Sequence, residues 1–185
     1  PVTGLHLQKT MTETKLILAP LQGFTDVTFR NVYSRHFDGL DEAMAPFIST
    51  MGEQRLKPSR LRDVDPEINR RLPVVPQILG NVEADFVFLA AHLNGMGYDR
   101  INWNLGCPHS KIAKKQRGSG LLCHPDRLDA FLTEVIPQLP NRLSVKIRLG
   151  RHSVDEIDRL MPMFDRHPLE EIILHPRTGV QMYTG

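Results

Sequence analysis

The sequence predicts an α/β fold: a (β/α)8 TIM barrel of which the chain holds about six βα units. Three observations predict it. Short apolar runs recur along the chain, separated by longer segments with helical spacing, which implies parallel strands joined by crossovers. Polar and glycine residues collect just after those runs, at Gln22-Gly23, Gln77, Gly106-Cys107, Arg148 and His175. In a barrel these strand ends form the functional rim. No GxGxxG turn follows the first run, which argues against a dinucleotide-binding sheet. A complete barrel takes about 250 residues, whereas this chain has 185. A complete six-stranded open sheet is the alternative.

The elements follow in order. Residues 1–10 show no periodicity and read as a leader or added extension, with Met11 the expected natural start and 11–185 the N-terminal part of the barrel domain. Residues 16–19 form a short strand that ends at Pro20. Residues 25–36 are helical, with Thr25 or Asp26 as N-cap and Val27, Phe29, Val32 and Tyr33 apolar. A weaker strand covers 40–45, and the polar stretch 52–72 mixes helix and loop. A third strand spans 74–79. The helix at 82–93 places Phe86, Val87, Leu89, Ala90 and Leu93 near one face. Strand 100–105, helix 126–139 with a break at Pro137, strand 143–147, helix 154–164 and strand 171–174 complete the series. The last two barrel strands are expected to lie outside these residues.

Composition narrows the function classes. Hydrophobic residues make up 41% and charged residues 24%, which excludes a disordered chain, a collagen and a disulfide scaffold. Twenty-three Lys and Arg against 21 Asp and Glu leave a net charge of +2, which by itself implies no polyanion. No run approaches the ~18 apolar residues of a membrane span. Cys107 and Cys123 lack CxxC spacing, and HExxH is absent, so no metal is expected. No secretory signal precedes them, so a reducing cytoplasm is the expected setting.

Several residues carry candidate chemistry. Cys107 follows the strand at 100–105, with Gly106 permitting a tight exit and Pro108 ending the strand. A thiol there can be a nucleophile, a ligand or a proton donor; the bland reading is a small buried hydrophobe. Cys123, in Leu121-Leu122-Cys123, reads as a packing cysteine. Lys111, Lys114, Lys115 and Arg117 put four cations into seven residues before Gly118-Ser119-Gly120. That suits an RNA backbone, or is a solvated loop. Lys146 shares a strand face with Ser144 and Arg148, opposite Val145 and Ile147. Inside a barrel, such a lysine needs an anion or polar cofactor; on an edge strand it faces water. His175 and Arg177 at the last strand's mouth suit a ring carbonyl or phosphate. Gln77 and Asn104 are amides suited to a heterocycle's edge.

Together these stretches resemble the flavin-dependent tRNA-dihydrouridine synthases. The matching segments are Leu18-Ala19-Pro20-Leu21-Gln22-Gly23-Phe24-Thr25-Asp26, Pro76-Gln77-Ile78-Leu79-Gly80, Ile101-Asn102-Trp103-Asn104-Leu105-Gly106-Cys107-Pro108 with its Gly118-Ser119-Gly120 trailer, Val145-Lys146-Ile147-Arg148-Leu149-Gly150, and His175-Pro176-Arg177-Thr178. The resemblance implies FMN on the barrel rim, NADPH as its reductant and tRNA as substrate, with hydride passing to C6 of a uridine and Cys107 protonating C5. It also implies FMN contacts from Pro20, Leu21, Gln22, Gln77, Lys146 and His175. Asn104, Lys111, Lys114, Lys115, Arg117 and Arg177 fall on the substrate side. No metal, membrane or obligate protein partner is implied. Asn102 stands where the family often has Asp. The Gly-rich flavin-phosphate strands and the helical tRNA-binding domain of the family are expected beyond these residues. Three rivals remain: a small-molecule flavin reductase of the dihydroorotate or old-yellow-enzyme type, a non-catalytic RNA-binding remnant, and a barrel lyase using Lys146 as a Schiff base.

Overall fold

The computed structural model describes residues 14–184. The leader expected at 1–10, and Met11, lie outside the described residues. In chain order the elements are β1 (Ile17–Leu18), α1 (Val27–His36), β2 (Glu42–Met44), β3 (Ile48–Ser49), β4 (Val74–Val75), β5 (Gln77–Leu79), α2 (Glu83–Gly95) and β6 (Arg100–Leu105), then α3 (Ser110–Ala113), α4 (Pro125–Val135), β7 (Arg142–Gly150), α5 (Ile157–Phe164) and β8 (Ile172–Thr178).

All pairings between these strands are parallel. One sheet runs β1-β2-β4 and the other β3-β5-β6-β7-β8. The two are halves of one ladder: β2 and β3 are lower and upper parts of one strand position, and β4 and β5 of the next. Pro46 and Pro76 stand at the two breaks, where a missing N–H interrupts a ladder. Bonds next to the breaks carry the ladder on, with Ala45 N–H donating to the Val75 carbonyl at 3.0 Å and Thr50 N–H to that of Leu79 at 2.9 Å. Six neighbouring positions in sequence order result, the first six of a (β/α)8 barrel. The strand expected at 40–45 is present as β2, its continuation β3 at Ile48–Ser49 is unforeseen, and the single strand expected at 74–79 is corrected to the split pair β4 and β5.

The back of the ladder is apolar. Ile101, Trp103, Val145 and Ile147 are fully buried. Trp103 stacks on Phe131 of α4 with centroids 4.2 Å apart and meets Phe86 of α2 edge-on at 5.7 Å. Its indole N–H donates to the Gly80 carbonyl at 2.9 Å. The opposite face is polar and registered: Gln77 pairs with Asn102, Asn102 with Ser144, Asn104 with Lys146, and Arg148 with His175. The alternation read at 143–147 thus assigns lumen and core correctly.

Helix α1 starts at Asp26, whose carboxylate accepts from Phe29 N–H at 2.9 Å. The stretch 52–72 holds only two 3-10 turns, at Pro58–Arg60 and Arg62–Val64. Among the described residues no helix is long and apolar enough to cross a membrane.

Candidate active site

A cleft of about 210 Å³ opens where the strands exit. Pro20, Leu21 and Gln22 line one side, and Asn104, Cys107, Lys146, Arg148 and His175 the other, with Pro46 and Phe47 between. Seven residues expected at the site therefore meet in one cavity. Among the described residues no carboxylate lines it.

Cys107 is held by its neighbours in sequence and by a distant loop. Asn104 Oδ1 accepts from the N–H groups of Gly106 at 3.2 Å and Cys107 at 2.9 Å. The Cys107 carbonyl accepts from Ser119 N–H at 3.0 Å and its hydroxyl at 2.9 Å. Gly118 sits at φ +55, and a Cβ there would lie 2.7 Å from the Cys107 carbonyl oxygen. This close approach explains the glycine. The half-buried thiol is pushed up in pKa by burial, against the N–H of His109 and the Arg148 charge, which act the other way. It stays protonated at neutral pH.

The cations are crowded. Burial, then the Arg148 charge, lowers the Lys146 pKa. Burial, then Arg148, Lys146 and Arg177, lowers that of His175, favouring neutral imidazole. Arg148 is buried and donates to the carbonyls of Gly106, Thr178 and Met182 at 2.9, 2.9 and 2.7 Å. It ties the exit of β6 to that of β8. The sequence reading placed Arg148 on the Lys146 face but not in the site; that shared spacing was the available signal.

The family profile described as Dihydrouridine synthase (Dus) matches residues 17–185. The chain belongs to the dihydrouridine synthase family. It is 32% identical over 174 residues to a probable tRNA-dihydrouridine synthase of Staphylococcus aureus (strain COL), covering 90% of this chain and 50% of that protein. A probable tRNA-dihydrouridine synthase of Rhodobacter capsulatus is 27% identical over 172 residues, covering 92% and 52%. The chain spans about half the length of these curated relatives.

Within this Dus chain, two expected positions are corrected. Gln77 begins β5 instead of ending a strand, because Pro76 interrupts the ladder there. It is fully buried behind the cleft, its amide donating to Asn102 Oδ1 at 2.8 Å and accepting from Asn104 Nδ2 at 2.6 Å. Asn102 passes the network on to the Ser144 hydroxyl at 2.9 Å. Cys123 is exposed and not packed, since the 3-10 turn Gly118–Leu121 buries Leu121 and Leu122 and carries the next residue outward.

The basic loop lies apart from the cleft. Lys111 is on the short helix α3, unforeseen because four residues show no periodicity. Lys111, Lys114, Lys115 and Arg117 line a second groove of about 690 Å³ together with Arg55 and Arg60. Arg117 is partly engaged, its Nε donating to Asn81 Oδ1 at 2.9 Å. Arg177, half-buried on β8, stands close enough to Arg148 and His175 to disfavour their charged forms. Among the described residues, no group of three or more His, Cys, Asp or Glu could hold a metal.

Proposed function

We propose that this chain is the barrel portion of a cytoplasmic enzyme that reduces uridine in tRNA to 5,6-dihydrouridine. One observation carries the reading: a single cleft joins a protonated thiol to Lys146, Arg148 and His175, with no carboxylate among its described lining residues. Membership of the Dus family supports the reaction class. The relatives' names support tRNA as substrate.

The lining fits a flavin. Lys146 is half-buried among cations, so its charge calls for an anionic ligand. Ala19, Pro20, Leu21 and Pro46 offer an apolar side to a flat ring. FMN, when bound and reduced with NADPH as electron source, supplies the hydride for C6 of the uracil. Lys146 stabilises negative charge at the ring by preorganised electrostatics. Neutral His175 gives or accepts a hydrogen bond there. Pro20, Leu21 and Gln22 close the opposite side. Gln77 acts through Asn104, which fixes the backbone of Cys107 and keeps one amide N–H for the base. Cys107 gives its proton to C5, so the C5=C6 bond gains one hydride and one proton. The resulting thiolate regains its proton from water. The uridine reaches the cleft only by leaving its stack. Lys111, Lys114, Lys115, Arg117 and Arg177 supply positive charge toward the RNA backbone.

The test uses the full-length protein, its visible spectrum and mass spectrometry of tRNA. Flavin absorbance and NADPH-dependent dihydrouridine are expected. Cys107→Ala lowers the single-turnover rate by roughly 10²–10⁴-fold, the usual contribution of a positioned acid. A Cys107→Ala protein with the wild-type rate overturns the acid assignment. Reduction of a small enone or orotate with tRNA untouched overturns the substrate.

A further inference from the structure

Three cavities follow one another along the rim. The cleft and a second cavity of about 490 Å³ share Gln22, Pro46 and Phe47. The second cavity and the basic groove share Ser49 and Arg60. The cleft thus adjoins the second cavity at Phe47, and the second cavity adjoins at Arg60 a groove whose lining carries six cationic side chains.

The chemistry changes along this track. Phe47 is half-buried at the divide between cleft and second cavity. The carboxylates of the second cavity are committed elsewhere. Asp26 caps α1, while Asp63 accepts from Val27 N–H and is paired with buried Arg30 at 3.2 Å. Arg60 is exposed and gives one N–H to the Ser49 carbonyl at 3.1 Å, leaving the rest of its fork for a ligand. Beyond it, Arg55, whose Nε donates to the Gly52 carbonyl at 3.2 Å and pairs with exposed Glu53 at 3.5 Å, lines the groove with Lys111, Lys114 and Lys115.

We infer that the track holds a single-stranded RNA segment: the nucleotide next to the target lies in the second cavity against Phe47, and the phosphates that follow rest on Arg60 and then on Arg55 and the lysines. This rests on the function proposed above and adds the path of the strand. A flat aromatic face stacks on any base, and a guanidinium fork matches a phosphate. Extruding one base from its stack leaves its neighbour's face bare, and Phe47 covers it. The segment carrying Arg55 and Arg60 thereby becomes a second RNA-binding element beside the basic loop.

Fluorescence anisotropy with labelled tRNA and full-length protein, over a series of salt concentrations, tests this. Arg60→Gln and Arg55→Gln each weaken binding about 3- to 10-fold at low salt, and each flattens the slope of log K against log salt by about 0.7–0.9. Arg60→Lys retains the wild-type slope. Phe47→Leu keeps apolar bulk but loses the flat face, weakening binding at least about 5-fold with no change of slope. Wild-type affinity and slope in both Arg60→Gln and Phe47→Leu overturn the path. An Arg60→Lys variant that behaves like Arg60→Gln overturns the phosphate contact. Wild-type full-length protein that modifies tRNA while these variants bind normally leaves the proposed function standing and this inference fallen. Wild-type protein that binds no tRNA brings both down.

Discussion

The two walls of the cleft are built differently. The wall bearing Asn104, Cys107, Lys146, Arg148 and His175 hangs on β6, β7 and β8, strands of six, nine and seven residues. Behind it lies the hydrophobic core cluster, in which Trp103, Phe86 and Phe131 are in mutual ring contact. The wall bearing Pro20, Leu21 and Gln22 follows β1, a strand of two residues. Leu21 is 45% exposed and Phe24 73%. That loop is held by a turn in which the Phe24 and Thr25 N–H groups donate to the Leu21 carbonyl at 3.0 Å, and by two side chains. The Thr25 hydroxyl accepts from Leu21 N–H at 2.9 Å and donates to the Ala19 carbonyl at 3.3 Å. Arg30 in turn donates to the Thr25 carbonyl at 2.7 Å. Charge and proton chemistry thus sit on the rigid wall. The other wall, apolar apart from Gln22, hangs on a far shorter strand. Preorganisation matters most where charge must meet a transition state, and the division of labour follows that need.

The heaviest blow to the rigid wall is Trp103→Ala. The indole is fully buried and stacked, and its loss also orphans the Gly80 carbonyl. About 3–5 kcal/mol of stability is expected to go. Urea denaturation reads this as a lower midpoint at an unchanged m-value. A loss under about 1 kcal/mol would show that the core behind β6 is not what stiffens this side.

Arg30→Met strikes the opposite wall. Arg30 is 1% exposed and also binds Asp63 and Asn69 Oδ1. Removing it strands Thr25 and a carboxylate. Because Asp63 is partly exposed, water replaces some of the lost contact, and the cost falls to about 2–3 kcal/mol, below that of a fully buried pair. The location of the damage is the sharper readout. Hydrogen exchange should accelerate in 21–30 well before 101–105. Uniform acceleration would mean that the two walls unfold as one unit. Asp26→Ala, which removes the α1 cap, is a milder version at about 1 kcal/mol with the same local signature.

The same contrast explains what could be read from the residues alone. Long strands declare themselves through apolar periodicity, so β6, β7 and the Ser144-Lys146-Arg148 face were legible, and with them the convergence of Cys107, Lys146 and His175. The strand cut by Pro76 reads as one run, and β3 beyond Pro46 goes unseen, because segments of two or three residues carry no period. Gln77 was misplaced for the same reason, and its burial depends on Asn102 and Asn104 from the neighbouring strand. The contact between Gly118-Ser119 and Cys107 joins residues eleven and twelve positions apart. No local pattern reports such a closure, although both partners stood out in the sequence. Cys123 failed because an apolar neighbourhood in sequence does not say which side of a turn faces water.

The smallest effect tests whether the rigid wall tunes its thiol. Burial pushes Cys107 up, and the Arg148 charge only partly opposes it. In the proposed reaction the acid form of Cys107 is the one used, so the rate is expected to hold while the thiol is protonated and to decline as pH rises through its pKa. That decline is expected above the ordinary cysteine value of ~8.5. Iodoacetamide labelling, which consumes the thiolate, rises over the same range and in the opposite sense. Cys123→Ser removes the exposed competitor, so that mass spectrometry follows Cys107 alone. An activity limb and a labelling limb that coincide above pH 8.5 tie both to one buried sulfur. A labelling midpoint below pH 7 would instead mean that the His109 N–H and the Arg148 charge together outweigh burial. That wall would then present a thiolate at neutral pH, unable to donate the proton that the proposed reaction needs.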